Sequence, residues 1–72
     1  MRIIYDEKVD ALYIRLKESE YYESDEIKEG VILDYDEQGN IIGIEILDAS
    51  EYLLPDELAN VSFNIEKAIG SR

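Results

Sequence analysis

The sequence predicts an α+β fold in one domain, 1–72: an antiparallel sheet of four or five strands, built from two β-hairpins, with a short helix after the fourth strand. Three observations carry this. Apolar and polar residues alternate with period two in several short stretches, the signature of half-buried strands. Two acidic turn sequences, Tyr5-Asp6-Glu7-Lys8-Val9-Asp10 and Tyr35-Asp36-Glu37-Gln38-Gly39-Asn40, each lead into such a stretch. Asp48-Ala49-Ser50-Glu51 then has the spacing of a helix-capping box.

The first strand is expected at about Arg2 to Tyr5. An Asp at the head of each acidic turn suits a type I turn, because its carboxylate accepts a backbone N–H two residues on. Gly39 or Asn40, and Asp10 in the matching place, tolerate the left-handed conformation that closes a longer hairpin loop. The likeness of the two turns fits either a duplication or convergent turn chemistry, and both give sister hairpins. Ala11 to Lys17 is the second strand, with Leu12, Ile14 and Leu16 on one face and Tyr13, Arg15 and Lys17 on the other. The third is expected at about Ile27 to Tyr35 and the fourth at Ile41 to Leu47. Val31, Leu33, Ile42, Ile44 and Ile46 join Leu12, Ile14 and Leu16 in one apolar layer. The stretch Glu18 to Glu26 is polar enough to read as a loop. Pro55-Asp56-Glu57 is a second helix start. Over 61–69 the pattern fits a helical stripe (Leu58, Val61, Ile65, Ala68) or a strand (Val61, Phe63, Ile65). The weak helix formers Ser62, Phe63 and Asn64 favour a last strand at about Val61 to Glu66.

Composition limits the function. There is no cysteine or histidine, so neither a disulfide nor a zinc site supports the core. Lys and Arg total 7 against 18 Asp and Glu, a net charge of −11. That field repels phosphate backbones and anionic membranes, so no nucleic-acid or membrane partner is expected, while a basic protein or a cation would be steered inward. No apolar run approaches a membrane span and the N-terminus lacks a signal-peptide core, so a cytoplasmic protein is expected. A thin core leaves room for a second copy. A homodimer is expected through the face carrying Tyr13, Ile32, Ile41 and Leu47, or by pairing of an edge strand.

The segment Asp34 to Glu45 invites a calcium reading. Asp34, Asp36, Gln38 and Asn40 offer oxygens, Gly39 allows a sharp bend, and Glu45 stands where a closing carboxylate would. Against it, Gln38 is a weak ligand, Ile42 offers no side-chain oxygen, and the flanks are strands where an EF-hand has helices. Asp34 and Glu45 could also face each other for acid–base work. Without His or Cys the usual nucleophile–base pairs are missing, and so small a domain has little depth for a dry cleft. Neither an enzyme nor a cofactor is expected. Six tyrosines in 72 residues point elsewhere, because tyrosine gives rigid amphipathic contact area. Tyr13, Tyr21 and Tyr22 are the candidate anchors for a partner, with Glu20 and Glu23 among the acids of the rim.

Y-D-E-K-V-D-A-L-Y-I-R-L near the start and E-G-V-I-L-D-Y-D-E-Q-G-N-I-I-G-I-E-I-L-D-A-S in the middle together resemble a small prokaryotic family, the domain of unknown function DUF2283, over residues 1 to about 50. The family has no established activity and no agreed catalytic residues. Some members look like partners of small toxins encoded beside them, so the resemblance implies an antitoxin-like role. The functional expectation is therefore an acidic protein-interaction module, with a divalent-cation module through Asp34 to Glu45 as the alternative.

Overall fold

A computed structural model describes residues 1–68. It holds five strands, β1 (Arg2–Asp6), β2 (Ala11–Arg15), β3 (Glu23–Lys28), β4 (Val31–Tyr35) and β5 (Ile41–Leu47). A 3-10 turn at Ala49–Glu51 and the short helix α1 (Pro55–Ala59) follow. The strands form one antiparallel sheet in the order β1-β2-β5-β4-β3. The two sister hairpins are therefore β1–β2 and β4–β5, and they join through β2 and β5.

The sister turns share their chemistry. Asp6 Oδ1 accepts the Lys8 N–H at 2.9 Å and Asp36 Oδ1 accepts the Gln38 N–H at 3.0 Å, the same bond two residues on. The left-handed residue differs. It is Asp10 in the first turn, at φ 55°, and Gly39 in the second, at φ 85°.

Three expectations are corrected. The third strand is two strands, because Gly30 turns the chain at φ 80°. Its first half, β3, takes in Glu23 to Glu26, which read as loop. An edge strand exposed on both faces needs no apolar pattern, and charges along it discourage pairing with other chains. The capping box at Asp48 does not form. Asp48 is left-handed at φ 53° with no side-chain cap bond, and Asp10 caps the 3-10 turn in its place. No strand forms over Val61 to Glu66, because that segment finds no partner in the sheet, and Val61, Phe63 and Ile65 stay exposed. Ile69, the end of the ambiguous tail, lies outside the described residues.

The apolar layer is in register as the alternation requires. Ile3 faces Ile14, Ile14 faces Ile44 and Ile44 faces Leu33. In the next row Tyr5 faces Leu12, Leu12 faces Ile46 and Ile46 faces Val31. The depth is less than the pattern suggests. Ile42 and Ala49 are the fully buried apolar residues among those described, Ile3 at the sheet edge is exposed, and the rest of the layer is half-buried. Tyr52 and Leu53 line a cavity of about 210 Å³ with Lys28, Val31 and Ile46 at one end of this face.

Candidate functional site

The other face of the sheet is polar. Arg15, Gly43, Asp34 and Ser24 stand opposite one another across β2, β5, β4 and β3. Gly43 leaves room for the Tyr13 ring: a Cβ on it would sit 2.7 Å from the Tyr13 hydroxyl and 3.2 Å from two ring carbons, so the ring would have to shift. The same hydroxyl accepts a hydrogen bond from Arg15 Nη1 at 3.1 Å. Arg15 also donates to the carbonyls of Lys17 (3.1 Å) and Ser19 (2.7 Å), and so pins the start of the loop that leads to β3.

Asp34 is 3% exposed and accepts the Ser24 hydroxyl at 2.7 Å. Ser24 in turn bonds the Tyr21 hydroxyl at 2.9 Å. Glu45 sits beside Asp34. Burial first, and then a hydrogen bond with the Asp34 carboxyl, push the Glu45 carboxyl above its ordinary value.

Beyond the end of β4 the loop folds into a recess of about 220 Å³ lined by Ser19, Glu20, Tyr21, Tyr22, Asp36, Glu37 and Gln38. The Tyr22 N–H donates to the Tyr35 carbonyl at 2.8 Å, which ties the tyrosine pair to the sheet edge. Both rings are more than half exposed, at 55% for Tyr21 and 58% for Tyr22. Asp36 forms the floor at 5% exposure. Its Oδ1 accepts the backbone N–H groups of Gln38 (3.0 Å) and Asn40 (2.8 Å), and its Oδ2 accepts Asn40 Nδ2 at 3.1 Å. The Lys17 ammonium stands 3.9 Å away. The Asn40 N–H is the largest cause holding the Asp36 carboxyl below the usual range.

The sequence-predicted residues are thus divided. Tyr21, Tyr22 and Glu20 come together in the recess. Glu23 lines a shallower neighbouring surface with Ser24 and Tyr35. Tyr13 is half-buried over Gly43 and stands apart. Of the calcium set, Asp34 and Glu45 pair on the polar face, while Asp36 spends its oxygens on Gln38 and Asn40 inside the turn. Among the described residues no group of three acidic side chains is placed to hold a metal ion.

One cluster was not foreseen. The Tyr5 hydroxyl donates to Asp10 Oδ1 at 2.6 Å, while the Ser50 N–H and hydroxyl donate to the same carboxylate at 3.0 and 2.6 Å. The left-handed tolerance of Asp10 was readable, but its partner lies 40 residues away, beyond any local pattern.

Among the described residues no helix is long and apolar enough to cross a membrane. No curated protein and no solved structure matches the chain significantly. The family model described as a protein of unknown function (DUF2283) matches residues 2–50, which span all five strands and end at the 3-10 turn. The strands, both sister turns and the Asp10–Ser50 bond that joins them to the tail all fall within that segment, and the chain belongs to the DUF2283 family.

Proposed function

We propose that the chain is a non-enzymatic protein-interaction module that seats a basic side chain of its partner in the Tyr21–Tyr22 recess. The observation that carries this reading is the pairing of two exposed tyrosine rings with carboxylates in one recess on a body of net charge −11. A guanidinium or ammonium over an exposed tyrosine face gains about 0.5–1 kcal/mol. Asp36 is already satisfied, so Glu20 and Glu37 supply the charge for a guest. The wider negative field speeds encounter, while the rings set residence time. In its fuller form the partner is a small basic cytoplasmic protein, and the chain neutralises it as an antitoxin would.

The test is binding of an arginine-rich peptide to the parent and to a Tyr21→Ala, Tyr22→Ala double variant. Two rings together correspond to roughly a tenfold loss of affinity, expressed in the dissociation rate. A Tyr21→Phe, Tyr22→Phe variant keeps the faces and should bind nearly as the parent does. If the double alanine variant binds unchanged while still folded by circular dichroism, the recess is only a solvated loop.

A further inference from the structure

Two apolar surfaces of this chain lie bare at once. The first is a row across the sheet: Ile3 on β1, Ile14 on β2, Ile44 on β5 and Leu33 on β4, each opposite the next. Tyr52 and Leu53 line a cavity with Val31 and Ile46 of the neighbouring row. Ile3 is 41% exposed and the other three are half-buried. The second is the segment after α1. Val61, Phe63 and Ile65 alternate along it and are 63%, 69% and 71% exposed.

The dimensions correspond. Four strands spaced about 4.8 Å apart make a row about 14 Å long, and five extended residues carry side chains along about 13 Å. The surface of the whole chain points the same way. A compact protein of 8.3 kDa exposes about 4,600 Å², and this chain exposes 6000 Å². The surplus of about 1,400 Å² exceeds the roughly 800 Å² per partner of a standard interface. Charge decides which face can close. Each copy carries −11, and the polar face holds Asp34, Glu45 and Glu26 beside Arg15 and Arg2, so two copies meeting there would have to take charges of both signs out of water. The apolar row carries no charge until it reaches Asp25, opposite Leu33 on the edge strand.

We infer that two copies of this chain pair through the Ile3–Ile14–Ile44–Leu33 row, each laying its Val61–Phe63–Ile65 arm on the row of the other. The contact is isologous, the same patch on both copies, and it supplies the core that one copy lacks. It does not depend on the recess, so its failure and that of the basic-partner reading are separable.

The test is sedimentation of the full chain together with melting at several concentrations. The parent should be a dimer at high micromolar concentration, with a Tm that rises with concentration. Ile3→Glu changes a side chain already exposed within one copy, so a folded monomer should result. A Val61→Ser, Phe63→Ser, Ile65→Ser variant should weaken the dimer on the order of 100-fold. Leu47→Glu, on the opposite face, should leave it intact. Neither Ile3→Glu nor the arm variant should alter binding of the arginine-rich peptide. A monomeric parent overturns the proposal. So does a dimer indifferent to Ile3→Glu or to the arm variant, or one split by Leu47→Glu.

Discussion

Asp10 and Glu45 are acids on the same small sheet, and their neighbours push them in opposite directions. The Ser50 hydroxyl first, and then Tyr5, hold the Asp10 carboxyl below its ordinary value. Such a group contributes stability that is present above the ordinary aspartate range and lost as pH falls through the lowered value. The same bond pushes the Tyr5 hydroxyl up to about 12, so its share persists below pH 10 and fades as pH climbs toward that value. Glu45 has the reverse sign for an acid. Burial and the Asp34 carboxyl raise it, so its contribution is present at low pH and lost as pH rises through the raised value. At neutral pH its ionised form sits beside Asp34 at a cost. Glu45→Gln should therefore raise Tm at pH 7, and the gain should vanish near pH 4, where the parent carboxyl is protonated. A variant no more stable at pH 7 than the parent would show that the pair is not strained. The nearness of Asp34 and Glu45 was readable from hairpin alternation, since they lie close on one face. The Asp10–Ser50 bond was not, because only the finished sheet brings its ends together.

The elements that read correctly are those whose pattern is local. β1, β2 and β5 follow from alternation and from acidic turns that repeat the same Asp-to-amide bond. β3 did not show itself, because Glu23-Ser24-Asp25-Glu26 has no apolar face and forms a strand only where β4 offers an edge. The break that creates β3 and β4 lies at Gly30, and a glycine within an alternating run is an ambiguous sign. Its φ of 80° explains it after the fact. An added Cβ would meet Leu47 atoms at 3.7 and 4.0 Å, ordinary contact, so conformation alone sets the penalty. Gly30→Ala should cost about 1–2 kcal/mol. In a domain of this size that lowers Tm by roughly 4–16 °C, measured by thermal circular dichroism. Tm within a degree of the parent would mean that the turn relaxes into another conformation. Val61 to Ile65 fails in the opposite way to β3: the alternation is present, but no strand of the same sheet receives it.

At the scale of the whole molecule, salt separates the two associations. A net charge of −11 repels itself within one copy, repels a second copy, and attracts a basic partner. Screening shortens the reach of this field to about 8 Å at physiological ionic strength and about 3 Å at 1 M. Three consequences follow from one cause. Added NaCl should raise the Tm of the parent, because like charges on a small body are the dominant unpaired interaction. It should tighten the homodimer, because the apolar row and arm gain nothing from long-range charge and lose a repulsion. It should loosen the arginine-rich peptide, whose encounter depends on the unscreened field. The measurement is a pair of titrations between about 0.05 and 0.5 M NaCl, one of dimer dissociation by sedimentation and one of peptide binding. Opposite slopes are expected. If salt weakens both, ion pairs hold the copies together, and the few cations of the chain, such as Arg2 in its bidentate bond to Glu18, would have to reach across to the partner. If salt leaves the peptide unaffected, the recess binds by the tyrosine faces alone and the acidic surface serves solubility.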